Sequence, residues 1–556
     1  MIEKITAFFV SLILSVMALF TPEVPKPVNI ENSTELLDLF NQHELSDEVY
    51  VIDAGVLNTA DKMHVAICLQ GIVAKDKPSI YIKTNSADNY YLDEIKKSGI
   101  NLIYTDENSD KWTLERLILK FKHYITDSGY VLYRPSDTAE GLNMATNLGT
   151  LYGYLAVPDT LEELAINAGL VLKEDFSDDK YNALFQWRIF NEYKDSFNFK
   201  AVVHEHYDMK GLRDLAIQQG FFTFYVDDDK DGTWFRKLVL KHAGDNSFIL
   251  GWAKYEVRYV TEASVNGNSV IPSDHCYNNS ILASFNCELP PQKHNEAKSY
   301  HDENKHYCAL VFSDGDNIQW IQNGFSEYYQ KLSLKTDFPM TWTFPPLLQT
   351  FSPVTYKRII DSSTINNYFI AGVSGAGYMH PSEYPYKSLA NFTDITAYSM
   401  SQSEQEYVSI LDSVPKNFIE EAHLTESLKY YSRYDNIKGG ILYLDPSRYM
   451  GGEGKVYFVD NKPFVSTRLS LWHPTNDKDG VTHEWLSEQA GLVNSFEHDI
   501  YSTKGYSVVN VHPWSITIEN LEYFVSMLDE DVVLVTVDEL VEMMRVNVPN
   551  SDYEVM

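Results

Sequence analysis

Two aspartates, Asp314 and Asp316, stand directly after the apolar run Tyr307 to Phe312, and His512 directly follows a second such run, Ser507 to Val511. Alternation along an extended segment puts both aspartates on one face. Neighbouring carboxyl groups push each other's pKa apart, which divides the roles of proton donor and ionised base between them. Hydrolysis of a glycosidic bond needs that division, with one carboxyl on each side of the scissile bond. Asp314 is expected to be the ionised group and Asp316 or Glu383 the proton donor, with Glu256 as another partner across the cleft. Taken alone, Asp316 or Asn317 also suits the N-cap of a helix beginning at Ile318.

Other strand ends carry matching chemistry. The run Phe369 to Val373 leads through Gly375 and Gly377 into Tyr378, His380, Glu383 and Tyr384, pinned by Pro381 and Pro385. Asp445 follows the run Gly440 to Leu444, Arg468 lies in the run Val465 to Leu471 with Trp472 after it, and Trp514 follows His512. Upstream, Trp252 and Glu256 lie just beyond a strand, and Ser273, Asp274 and Asn278 form a polar cluster. Asp314, Asp316, Glu383 and His512 are the catalytic candidates. Tyr378, His380, Tyr384, Asp445, Arg468, Trp472, Trp514, Glu256 and Asp274 are the substrate-binding ones. Tryptophan and tyrosine in such numbers suit the apolar faces of sugar rings, and aromatics make up 13% of the chain.

These residues need a scaffold that brings strand ends together. Strands and helices alternate from Val49 onwards, which predicts an α/β protein. Three small α/β subdomains are expected over residues 27–107, 108–180 and 181–287, and a polar, proline-containing linker over 288–305. Residues 306–548 hold about seven strands separated by helix-like segments such as Ile318 to Leu332 and Glu404 to Leu411. That rhythm predicts a β/α barrel with its site at the C-terminal ends of the strands; a doubly wound open sheet is the second choice. Val456 to Asp460 and Lys462 to Val465 read as a hairpin turning at Asn461.

Composition narrows the partners. A net charge of −33 over 556 residues repels nucleic acid and anionic membrane. No GxGxxG opens a helix and no GxxxxGK occurs, so nucleotide binding is not expected. Residues 1–18 read as a signal peptide, with Lys4 before an apolar run and Val16 and Ala18 at the cleavage site, against an uncleaved anchor. The expected location is therefore secreted, periplasmic or at the cell surface, with no membrane contact after cleavage. Of four cysteines, Cys276 and Cys287 could pair after export, while Cys68 reads as a buried thiol. Asp227, Asp229, Asp231 and Gly232 begin like a calcium loop, but Leu238 takes the place of the bidentate glutamate. No cofactor is expected, although Asp314 and His512 with one more group could hold a divalent metal.

The segment Gly375-Ala-Gly-Tyr-Met-His-Pro381 resembles the signature of the family named for its GxGYxYP motif, whose members are proposed to be glycoside hydrolases of bacterial secreted systems. His380 stands where the motif has its second tyrosine. The resemblance implies a carbohydrate substrate and the α/β subdomains ahead of the barrel. Residues 311–320, 508–515 and 532–540 are also similar to the first and last motifs of polysaccharide deacetylase barrels. Those enzymes bind metal through an aspartate and a His-x-x-x-His pair, and no such pair follows Asp316. A metal-dependent esterase of that kind and a non-catalytic glycan-binding protein are the alternatives to a hydrolase.

Overall fold

The structure, a computed structural model, describes residues 23–32, 39–41, 43–228, 232–293, 302–324, 336–446, 448–475 and 480–549. The expected signal peptide and two aspartates of the calcium-like turn, Asp229 and Asp231, lie outside the described residues. Among the described residues no helix is long and apolar enough to cross a membrane.

Three small parallel sheets precede a large one. The first orders its strands β2-β1-β3, with β1 Glu48–Asp53, β2 Ile80–Lys83 and β3 Asn101–Ile103. Val49 to Ile52 are buried on both faces, as a continuous apolar run in a covered parallel sheet should be. The second orders β5-β4-β6, with β4 Gly129–Tyr133, β5 Leu155–Pro158 and β6 Val171–Asp175. The third orders β10-β9-β7-β8, with β7 Ala201–His204, β8 Phe222–Phe224, β9 Phe248–Gly251 and β10 Ser269–Ile271.

One helix joins the first two sheets and also packs on the helix Arg213–Gln219 of the third unit. Ala60–Ala74 starts where the Thr59 hydroxyl accepts from the Lys62 N–H, and it is buried from Met63 to Ala74. An interior helix of this kind is apolar all round rather than striped. The third unit is also held by an ion triad. The guanidinium of Arg236, fully buried, donates to Asp228 at 2.5 Å and to Glu262 at 2.9 Å.

The large sheet contains β11 His306–Phe312, β12 Met340–Phe344, β13 Asn367–Ala371, β14 Tyr407–Ser413, β15 Gly439–Asp445, β16 Val456–Val459, β17 Lys462–Ser466, β18 Leu469–Leu471, β19 Tyr506–Val511 and β20 Val532–Val535. Its order is β16-β17-β15-β14-β13-β12-β11-β19-β18, with β20 also on β11. Every pairing is parallel except the β16–β17 hairpin, which turns through Asp460 and Asn461 with both residues at positive φ. The expected seven-stranded closed barrel is thus found as a mixed sheet whose order runs from one end to another. One extended segment serves both flanks of that order. β17 pairs with β15, and after the Thr467 N–H donates to Leu442 and the Arg468 N–H to Val508, β18 pairs with β19.

The expected helix Glu404 to Leu411 is instead largely β14, the strand between β13 and β15. Tyr407, Val408, Ile410 and Leu411 have helix-like spacing but are buried on both faces of the strand. Nor do the cysteines pair: all four are free thiols, with Cys276 buried and Cys287 half-buried. Cys68 is fully buried, and burial pushes its thiol up to about 11.

Candidate functional site

The end of β11 turns so sharply that its residues must be small or strained. Asp314 has φ 61, in the left-handed region that costs a residue with a β-carbon about 1–3 kcal/mol. At Gly315 a Cβ would lie 1.6 Å from the Thr343 carbonyl oxygen, so only glycine fits. The Gly315 N–H donates to the Thr343 hydroxyl at 3.1 Å, and that hydroxyl donates to the Phe312 carbonyl at 2.9 Å. The turn is fixed to β12, and the Ser313 hydroxyl donates to the Asp314 carboxylate at 2.6 Å.

Strand register supplies the next wall. Leu471 of β18 pairs with Val511 of β19, so the following residues, Trp472 and His512, emerge side by side. Their rings stack at 3.9 Å and 7°. Val511 also pairs with Phe312, which brings His512 to the β11 turn; its Nε2 lies 4.0 Å from Asp314 Oδ2. His512 Nδ1 meets the Ser515 hydroxyl at 2.9 Å, and burial lowers the imidazole to about 3, so it stays neutral. Trp514 bonds to Asp314 and packs edge-on against Trp320 at 5.1 Å. Tyr449 packs on Trp472 at 5.3 Å and on Tyr443 at 4.9 Å.

The Gly375–Pro381 segment crosses to the third sheet. Tyr378 and Val270 exchange both backbone hydrogen bonds at 2.8 Å, an antiparallel bridge onto β10. Gly377 permits this approach, because a Cβ there would lie 2.8 Å from the Ser269 hydroxyl. The His380 N–H donates to the Ser264 hydroxyl at 2.9 Å. So held, Tyr378 donates its hydroxyl to Glu256 Oε1 at 3.0 Å and stacks on Trp252. Glu256 opens the helix Glu256–Val265 of the third unit. Its residue is solvent-exposed, yet enough protein surrounds the carboxyl to raise its pKa.

The charges act in sequence. Burial raises Asp445, while the charge of His380 opposes that rise. Burial and then the charge of Asp445 raise Glu256, against the Tyr378 hydrogen bond. Burial pushes Asp314 up to about 7, helped by the charge of Glu256 and opposed by its bonds to Ser313 and Trp514. Asp316 rises well above the carboxylate range through burial and the charges of both Asp314 and Glu256. The carboxyls thus raise one another in turn, and the group nearest to the others' charges, Asp316, is raised well above the carboxylate range.

Glu256, Asp314, Asp316, Tyr378, His380, Asp445, Trp472, His512 and Trp514 are therefore linked in one cluster by bonds, stacking and mutual charge. The other candidates are not all brought there. Arg468 lies over the Phe496 ring at 3.8 Å and donates to the Lys504 carbonyl, near the start of β19. The Tyr384 hydroxyl donates to the Gly267 carbonyl at 2.6 Å as a packing contact. Asp274 is buried, and its charge acts on Glu205 beside Arg213. Glu383 lies 3.6 Å from His380 Nδ1, an ion contact too long for a hydrogen bond, which lowers the glutamate's pKa and fits it poorly to donate a proton. Tyr443 and Tyr449 join the site without having been singled out. Both sit in or just after the apolar run of β15, and nothing in their spacing sets them apart from core residues.

Among the described residues no three His, Cys, Asp or Glu side chains are grouped to hold a metal ion. Asp314 and His512 approach each other without a third such group. A separate cavity of about 1060 Å³ at the N-terminal ends of the strands is lined by Tyr368, Tyr407, Lys438, Lys462 and Arg545, and contains none of the candidates.

Residues 304–545 match the family model described as "GxGYxYP putative glycoside hydrolase C-terminal domain", and residues 200–284 match "GxGYxYP third domain". Asp314 and Tyr378 fall in the first match, Glu256 in the second. A comparison with curated proteins finds no match. A crystal structure described as "a putative hydrolase" from Bacteroides thetaiotaomicron VPI-5482 superposes with a TM-score of 0.79 at 23% identity, covering 95% of this chain and 99% of that one. At that identity the likeness is one of fold.

Proposed function

The chain belongs to the GxGYxYP family, and from that premise we propose that it is a secreted glycoside hydrolase that cleaves its substrate between Asp314 and Glu256. What supports the reading is that Asp314, at the turn after β11, and Glu256, at the start of a helix of the third unit, lie close enough for the charge of Glu256 to raise Asp314, and that both carboxyls have raised pKa values. Glu256 takes a hydrogen bond from Tyr378, which favours its ionised form, so it is the base or nucleophile. Asp314, pushed up to about 7, is still protonated in about half of the molecules at neutral pH and in that form serves the leaving oxygen. Asp316, raised well above the carboxylate range by burial and the charges of Asp314 and Glu256, supports the turn. These roles differ from the sequence expectation, in which Asp314 is the ionised group and Asp316 or Glu383 the donor.

Trp472 and Trp514, both half-buried, offer ring surface for the sugar, with His512 and Tyr449 backing them. The large sheet is read as a β/α barrel closed through residues 462–471, a reading supported by the hydrogen bonds of that segment to β15 on one flank and β19 on the other. The three preceding units serve as subdomains, the third contributing Glu256. The apolar leader supports export. The proposal is tested by incubating the protein with a polysaccharide panel and measuring reducing ends and acetate in parallel. Reducing-end release that falls by about 100-fold or more in both Glu256→Gln and Asp314→Asn supports hydrolysis.

The approach of His512 to Asp314 favours one second reading, an esterase of deacetylase type. Acetate release abolished by chelation would select it. Glycan binding with neither product would select a non-catalytic protein.

A further inference from the structure

We propose that Trp320 is the platform of an outer sugar subsite: its indole stacks on a pyranose ring further along the glycan than the one held at Asp314 and Glu256, so that longer oligosaccharides bind better than short ones. The proposal rests on reading the Asp314 cluster as a sugar site. Exposure rises along a line of contacts that leaves that cluster. Asp316 is buried, Asp314 and Trp514, which bond to each other, are half-buried, and Trp320, packed against Trp514 at 5.1 Å and 69°, is 37% exposed. An edge-on contact covers at most one face of a ring. Trp514 therefore leaves a face of Trp320 uncovered, and the apolar face of a pyranose is its match.

The backbone under the ring is fixed from two other units. Trp320 opens the π-helical turn Trp320–Gly324, a wide turn of the kind found mostly at functional sites. The Tyr91 hydroxyl of the first unit donates to the Gln322 carbonyl at 2.8 Å. The Gln322 amide donates to the Tyr277 carbonyl at 2.7 Å, and the Asn323 amide to the carbonyls of His275 and, at 3.1 Å, Gln319; His275 and Tyr277 follow β10 of the third unit. Three parts of the fold thus hold a large apolar ring at the surface. Exposure alone is common and carries nothing: Trp234 is 43% exposed, but it lies on the helix Thr233–Ala243 against Phe235, and among the described residues it has no ring contact with the cluster.

The test measures binding by calorimetry to disaccharides and hexasaccharides of the gluco, xylo, manno and galacto series. The full chain is used, carrying Asp314→Asn to stop turnover. In a series that binds, adding Trp320→Ala is expected to weaken the hexasaccharide about tenfold and the disaccharide less than about twofold. Trp320→Phe should recover most of the loss, and Trp234→Ala should change neither affinity; thermal melting checks folding. Equal losses at both lengths would show a structural role and overturn the proposal, as would an unchanged hexasaccharide affinity. If the length effect holds while the unsubstituted protein releases no reducing ends, the subsite stands and the hydrolase reading falls. If reducing ends appear and the length effect is missing, the subsite alone falls. Neither binding nor reducing ends in any series overturns both.

Discussion

Tyr378 donates its hydroxyl to Oε1 of Glu256 across 3.0 Å, although 122 residues separate them in the chain. The bond favours the ionised carboxylate, against burial and the charge of Asp445. Tyr378→Phe removes the donor and keeps the ring stacked on Trp252. The acid limb of the kcat/KM profile should then move to higher pH, and activity at the optimum should fall about tenfold. A pH–rate profile of the variant checks this; an unmoved acid limb contradicts the role given to Glu256.

Asp314 links stability to pH with a definite sign. Its folded pKa of about 7 lies above that of an unfolded aspartate, 3.8. The folded state therefore holds the proton that the unfolded state has lost, and stability falls as pH rises from about 4 to 7, then levels. Asp314→Asn removes that loss. The variant should be about 2 kcal/mol more stable than the parent at pH 8 and show no gain at pH 4, while losing activity at both. Urea melts at the two pH values measure the difference.

Arg236 answers two acids at once. Truncation to Ala leaves Asp228 and Glu262 in the interior without their cation, a change that costs about 3–5 kcal/mol. The third unit should melt first, and thermal unfolding should show a new low-temperature step or a large drop in the midpoint. Arg236→Met should cost less once Asp228 and Glu262 are also made apolar.

Two glycines predict opposite outcomes. At Gly315 a methyl group would run into the Thr343 backbone, so Gly315→Ala should displace the Asp314 turn and cost at least about 2 kcal/mol along with activity. Gly491 lies exposed in the helix His483–Asn494 with nothing within 4 Å of its missing Cβ. Gly491→Ala should raise stability by about 0.5–1 kcal/mol and leave activity unchanged. Chemical denaturation of the pair provides the comparison.

Particular residues explain what the sequence made legible. Met340 to Phe344 and Tyr307 to Phe312 announce their strands because parallel strands covered on both faces are continuous apolar runs. Asp314, His512 and Trp472 follow such runs and come together, since strand ends in register are neighbours by construction. β14 was hidden because burial on both faces erases the period-two signal and leaves Tyr407, Val408, Ile410 and Leu411 at spacings that also suit a helix. Arg468 sits where one extended segment changes partner from β15 to β19, and spacing along the chain does not report which way a side chain points at such a step. The partnership of Glu256 with Tyr378 depends on a bridge between two sheets, which local pattern does not encode.

The reciprocal amide bonds between Val270 and Tyr378 have a mechanical consequence. They form a seam, and the phenol and the carboxylate that it aligns lie on opposite sides. Any gaping of the third unit away from the strands behind it must unzip those amides before it can separate the two groups. Slow deuterium uptake at these two positions would therefore mark a joint that stays shut, with the substrate entering from the rim beside Trp472 rather than through parting halves.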